Sequence, residues 1–125
     1  MNYINLLIKI KNSYLNKKFY IYFKYNNFYY KLLTILKFYG YIKDFYILNI
    51  KYKKFLFINL KNSLKKIIFL KFFKYNHKLY FLDLSQINIL NKYYGLYLIS
   101  TSKGIISVQL ANKLKLGGNL ICYIW

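Results

Sequence analysis

Gly95-Leu-Tyr-Leu-Ile-Ser100-Thr-Ser-Lys-Gly104-Ile-Ile-Ser-Val-Gln-Leu-Ala-Asn-Lys-Leu-Lys-Leu-Gly117-Gly118-Asn-Leu-Ile-Cys-Tyr-Ile-Trp125 is the stretch that decides the fold. Its β-branched and aromatic residues predict a strand over Tyr94–Ile99 and a last strand over Asn119–Trp125. Between them lie a hydroxyl-rich turn at Ser100–Gly104 and a short helix over Val108–Lys115. Ser107 is placed to cap that helix, and Gly117-Gly118 to end it and let the last strand turn in. Strands and short helices in this order predict an α+β arrangement.

Working back toward the N-terminus, Ile67–Phe73 and Leu79–Leu82 read as a hairpin with its turn near Tyr75-Asn76-His77. Ser85 then caps a helix to about Lys92. A polar break at Lys61-Asn62-Ser63 separates this lobe from the preceding one, which predicts lobes over 1–62 and 63–125. In the first lobe Asn2–Leu15 has helical spacing, with Ile4, Leu7, Ile8, Tyr14 and Leu15 on one face and Asn5, Lys9, Asn12 and Asn16 opposite. Lys11 falls within the apolar arc. Phe19–Lys24 reads as a strand and Phe28–Tyr39 as a helix capped by Asn26 or Asn27 and ended by Gly40. Strands at Ile42–Ile50 and Phe55–Leu60 follow, joined by a turn at Lys51–Lys54. The expected order is helix, strand, helix, strand, strand, then a β-rich lobe with short helices.

The 125 residues carry 21 basic side chains, all lysine, against Asp44 and Asp83, a formal charge of +19. So large a positive charge calls for a polyanion, either nucleic acid or an anionic membrane. Codons rich in A and T account for lysine in place of arginine, but not for the scarcity of acids. Lysines or Asp83 interrupt every apolar run short of the roughly 18–20 residues that span a bilayer. The first residues lack both a signal-peptide pattern and an Arg-rich import leader. With the AT-biased composition, this predicts a gene carried and translated within an organelle, a mitochondrion first and a plastid as the alternative.

Catalysis is not expected. The two aspartates make no acid–base pair, Cys122 and His77 make no dyad, and no glycine-rich loop cradles a phosphate. Neither a metal nor a cofactor is expected: Cys122 is the only cysteine, in an apolar strand where it reads as a buried small hydrophobe.

The C-terminal blocks together resemble the small-subunit ribosomal protein eight family. There a Gly-x-x-hydrophobic-hydrophobic-Ser-Thr-Ser-Lys-Gly segment precedes a short helix and a Gly-Gly-x-hydrophobic-hydrophobic-Cys-Tyr-hydrophobic end. Asn5-Leu-Leu-Ile-Lys9-Ile-Lys11-Asn12-Ser13 is similar to the family's opening helix, with lysines where arginines are typical. Ile35-Leu-Lys-Phe-Tyr-Gly40-Tyr-Ile-Lys-Asp44-Phe45 is similar to its helix-to-strand junction. Only Lys51–Lys92 carries no such motif. The resemblance implies a structural constituent of the small ribosomal subunit. It implies binding to an irregular hairpin in the central domain of the small-subunit rRNA, and contact with neighbouring small-subunit proteins, protein five among them.

Residue by residue, the resemblance puts RNA contacts at Ser100, Thr101 and Ser102. Three hydroxyls can donate and accept against bases, ribose and phosphate, Lys103 adds charge, and Gly104 lets the backbone approach. Lys9, Lys11 and Asn12 are the expected phosphate-contacting group of the first helix, without the bidentate geometry of arginine. Asn119 stands where the family commonly has a glutamate, so it keeps hydrogen bonding and loses charge. Gly40, Gly117 and Gly118 read as structural turns. Lysine–aromatic mixtures at Lys17–Lys24 and Lys71–Tyr75 can stack bases, though strands use the same residues for packing. Two other functions fit the composition: a basic protein lying on an anionic membrane, and a general single-strand RNA binder.

Overall fold

A computed structural model describes residues 2–72, 74–75, 78–90 and 95–125. The chain is α+β and divides into two compact units, Met1–Ile68 and Phe69–Trp125. The first unit contains α1 (Asn2–Leu15), β1 (Tyr20–Lys24), α2 (Asn27–Phe38), β2 (Asp44–Ile50) and β3 (Lys53–Asn59). The second contains β4 (Leu70–Phe72), β5 (Lys74–Tyr75), β6 (Lys78–Leu82), α3 (Leu84–Leu90), β7 (Leu96–Thr101), β8 (Gly104–Ser107), α4 (Val108–Leu114) and β9 (Gly118–Ile124). The expected order of elements in the first unit is the observed one.

In the first unit an antiparallel sheet of order β1-β3-β2 packs one face on the helices. Ile21, Leu56 and Ile58 are buried there with Leu32, Leu33 and Leu36 of α2 and Leu6, Leu7 and Ile10 of α1. Edge-on ring contacts Phe23–Tyr29 and Tyr30–Phe45 tie α2 to the outer strands. The buried stripe of α1 is turned by about one residue from the expected one. Leu6, Leu7, Ile10 and Ser13 face inward, while Ile8 and Leu15 are exposed. Ser13 is tolerated inside because its hydroxyl donates back to the Lys9 carbonyl at 2.7 Å.

Asn26 caps α2, its side-chain oxygen accepting from the Phe28 amide at 2.8 Å. Gly40 follows the helix at φ +83, the left-handed region that a glycine adopts without strain. The turn between β2 and β3 is tighter than expected. It consists of Lys51 and Tyr52 alone, both at positive φ, whereas Lys53 and Lys54 already pair with Ile50 and Asn49. Two positive-φ residues match the right-handed twist of the flanking strands, and the seven-residue pairing of β2 with β3 offsets the cost of holding lysine and tyrosine there.

In the second unit β9 is the central strand. The sheet runs β5-β6-β9-β7-β8, and β4 also pairs with β9. This corrects the expected hairpin of 67–73 with 79–82: Leu70 to Phe72 pair with Ile124 to Cys122, and β6 takes β5 as its hairpin partner. Local sequence favours a nearest-neighbour hairpin, but β9 alternates buried and half-buried residues along its whole length and offers a better apolar partner. Phe73 and the turn residues Asn76 and His77 lie outside the described residues.

Asp83, not Ser85, caps α3. Its carboxylate accepts from the Gln86 amide at 3.0 Å and the Ser85 hydroxyl at 2.7 Å, and the Gln86 side chain accepts from the Asp83 amide at 3.1 Å. This is a reciprocal capping box. Lys92 and Tyr94, expected at the end of α3 and the start of β7, lie outside the described residues. Ser107 caps α4, accepting from the Leu110 amide at 3.2 Å. Lys115, in the left-handed conformation at φ 55, closes α4 before the double glycine is reached. Ile87, Ile99, Val108, Ala111 and Leu120 form the core between the helices and one face of the sheet.

Candidate nucleic-acid interface

The 100–104 segment is the tip of a β-hairpin rather than a loop leading into a helix. Ser100 and Thr101 are the last residues of β7, Gly104 is the first of β8, and only Ser102 and Lys103 form the loop. The Thr101 hydroxyl holds this tip closed. It donates to the Gly104 carbonyl at 3.0 Å and accepts from the Lys103 amide at 3.1 Å. Ser102, Lys103 and Gly104 are exposed. Gly104 has φ +96 and nothing within 4 Å of where a Cβ would stand, so its backbone is open to an incoming ligand.

Ser100 and Asn119 lie directly opposite each other in the β7–β9 register. Cross-strand partners share a face. Ile99 and Leu120, the next pair, point to the core with α3 and α4, so Ser100 and Asn119 present hydroxyl and amide on the other face, both half-buried. A register shift between Leu98 and Ile99 creates this match by leaving Ile121 without a partner on β7. Gly118 admits the close approach, since a Cβ there would run into the Ser100 carbonyl oxygen and lie 3.0 Å from the Thr101 methyl. The expected group Ser100, Thr101, Ser102, Lys103, Gly104 and Asn119 is thus brought together on one hairpin and its neighbour strand. Gly117 precedes β9 and is half-buried.

The second expected group divides. Lys9 and Asn12 are exposed on α1 and line an open cleft of about 490 Å³ against β1, together with Asn5, Asn16 and Lys18. The Lys9 ammonium donates to the Tyr22 carbonyl at 3.4 Å and sits 4.5 Å above the Phe23 ring, which anchors its stem while the charge stays at the cleft. Lys11 is half-buried and does not line that cleft. The polar row Asn5, Lys9, Asn12, Asn16 was readable from helical spacing. Tyr20 and Tyr22, which also line the cleft, belong to the lysine–aromatic run Lys17–Lys24 that the sequence marks for base stacking; what the sequence does not show is that this run stands beside the polar row of α1.

Both aspartates are held by partners close in sequence. Asp44 pairs with Lys37 at 3.0 Å, and the Asp83 carboxyl is held below its usual range by the Gln86 amide and the Ser85 hydroxyl. Among the described residues no cluster of histidine, cysteine or acidic groups could hold a metal ion. Cys122 is fully buried, and loss of solvation pushes its thiol up to about 12. Among the described residues no helix is long and apolar enough to cross a membrane.

Comparison with known proteins decides the family. The family described as Ribosomal protein S8 matches residues 3–125. The chain belongs to the ribosomal protein S8 family. It is similar to the Small ribosomal subunit protein uS8 of Mycoplasma mobile, 32% identical over 123 residues, covering 97% of this chain and 92% of that one. It is 33% identical to the Small ribosomal subunit protein uS8 of Borrelia garinii over 125 residues, covering 97% of this chain and 94% of that one. Against the Small ribosomal subunit protein uS8c of Phaseolus vulgaris it is 28% identical over 131 residues, covering 97% and 95%. The resemblance carried by the sequence blocks is therefore correct. As a member of the S8 family the protein is a structural ribosomal component and not an enzyme.

Proposed function

We propose that this S8 protein is a structural constituent of the small ribosomal subunit that grips a folded hairpin in the central domain of the small-subunit rRNA. The observation that carries this reading is the convergence of Ser100, Asn119 and the Ser102-Lys103-Gly104 tip on one hairpin and the strand paired with it. Lysines draw the RNA in without regard to sequence. The Thr101 hydrogen bonds then fix the tip, leaving the Ser102 hydroxyl and the open backbone at Gly104 to meet bases and 2′-hydroxyls. Asn119 offers both a donor and an acceptor, where an acid could only accept. Lys9 and Asn12 position the first unit on phosphates.

Neighbouring small-subunit proteins, protein five among them, complete the set of partners. The gene belongs to an organelle, a mitochondrion before a plastid. AT-biased composition supports this, while the relatives named above come from bacteria and, in the uS8c form, from a plant.

The test is affinity for the central-domain hairpin of the cognate rRNA against a scrambled RNA of equal length, at low and at physiological salt. A preference of about a hundredfold that survives the higher salt and is lost in Thr101→Ala/Ser102→Ala supports the reading. Equal binding that collapses with salt reduces the protein to a carrier of lysines.

A further inference from the structure

The outer face of the β1-β3-β2 sheet is apolar and uncovered. Alternation sends Ile21, Leu56 and Ile58 inward and turns Tyr20, Tyr22, Phe55, Phe57 and Tyr46 outward. Tyr20, Tyr22 and Tyr46 are 52%, 65% and 51% exposed, values far above those of a packed core ring. The rings tile the surface: Tyr20 stacks on Phe57 at 5.6 Å, and Tyr22 meets Phe55 edge-on at 6.4 Å. Lys24 and Lys53 stand on the same face, cross-strand from Phe55 and Ile50. Asp44, the single acid of this unit, is already engaged by Lys37 at 3.0 Å, so the face carries no free negative charge.

We propose that this face is a second RNA site, which takes a single-stranded segment with bases stacked on Tyr20, Tyr22 and Tyr46 and phosphates held by Lys18, Lys24 and Lys53. Aromatic rings between lysines fit a strand of alternating flat base and charged phosphate, whereas a protein partner of the same net charge would be repelled by the rim. The site is continuous with the α1 cleft, because Tyr20 and Tyr22 lie both on the outer face and along the wall shared with Lys9, Asn12 and Lys18. A strand leaving the rings at β1 thus enters an open cleft lined by Lys9, Asn12 and Lys18. This proposal shares Lys9 and Asn12 with the hairpin reading but stands apart from the hairpin tip, since its stacking rings are other residues and it takes another form of RNA.

The test compares binding of the full chain to an oligouridine of about ten nucleotides with binding to an abasic ribose-phosphate oligomer of equal length. The wild-type protein is expected to prefer the oligouridine by about tenfold per stacked ring. Tyr22→Thr/Tyr46→Thr keeps strand-forming residues on the surface and is expected to abolish that preference while leaving affinity for the abasic oligomer unchanged. Thr101→Ala/Ser102→Ala is expected to keep the preference intact, which separates failure of this site from failure of the hairpin tip. Equal wild-type affinity for the two oligomers overturns the proposal. So does an unchanged oligouridine affinity in the tyrosine variant accompanied by failure to join the small subunit, since the face would then dock a protein.

Discussion

Gly118 lies so close against Ser100 that a single methyl group on it would collide with the Ser100 carbonyl oxygen. The strand that carries Asn119 can pair with the base of the hairpin only because this position has no side chain. Gly118→Ala is therefore expected to destabilise the second unit by about 1–3 kcal/mol, as overpacking of a rigid backbone contact does. Gly104→Ala meets open space but must hold φ +96, and is expected to cost about 1–2 kcal/mol through backbone strain alone. Urea denaturation of both variants checks this. A neutral Gly118→Ala would mean that β9 can slide away from Ser100 freely.

Thr101 should matter through its hydroxyl and little through its methyl. Thr101→Val removes both bonds that close the tip, to Gly104 and from Lys103, and is expected to lower stability by about 1 kcal/mol. Its larger effect is expected on hairpin RNA affinity, because the loop loses its fixed shape. Thr101→Ser is expected to restore most of that affinity. The slope of log affinity against log salt is expected to stay the same in both variants, since no cation is removed. A changed slope would place Thr101 in the charge term and refute the role assigned to it.

Asp83 gives the second unit a defined pH response. The Gln86 amide, then the Ser85 hydroxyl, hold its carboxyl below the usual range in the folded state. As pH falls the unfolded chain takes up the proton first, so folding stability drops. The contribution is complete above the unfolded carboxylate pKa of about 3.9 and is lost as pH falls through the lower folded value. Asp83→Asn keeps an oxygen acceptor for the helix amide and cannot titrate. It is expected to flatten the acid limb of the urea midpoint below about pH 4 relative to the parent. An identical acid limb in the variant would assign the effect to another group.

Local signals were legible in proportion to how completely a short segment determines itself. Caps announced themselves at Asn26 and Ser107, and the glycine after α2 at Gly40. The cap of α3 was misplaced because Asp83 and Ser85 are both good capping residues. Only the reach of Gln86 back to the Asp83 amide selects the first. The β4–β9 pairing was hidden for a different reason: it joins residues about fifty positions apart, and adjacent strands are the natural first choice. The 104–107 strand was hidden by its own shortness, with Ser107 serving as both strand end and helix cap. At the candidate site the residue types were legible, but the Ser100–Asn119 alignment was not. It depends on a one-residue bulge at Ile121 that no local pattern marks.

Cys122 offers a reporter of how the second unit opens. Its thiol is fully buried on the central strand, opposite Leu98, and desolvation pushes its pKa up to about 12. A thiol reagent attacks the thiolate, so at neutral pH the folded protein is expected to be nearly inert. Labelling should proceed only as fast as β7, β4 and β9 separate, and should track the urea-dependent opening of the sheet. Gly118→Ala is expected to speed labelling by the factor that its loss of stability predicts, about tenfold for each 1.4 kcal/mol. Cys122→Ala should cost less stability than Cys122→Asn, which forces a polar amide into an apolar slot. Rapid labelling of the folded wild-type chain would show that β9 is accessible, and the rigid platform on which Ser100 and Asn119 are aligned would have to be abandoned.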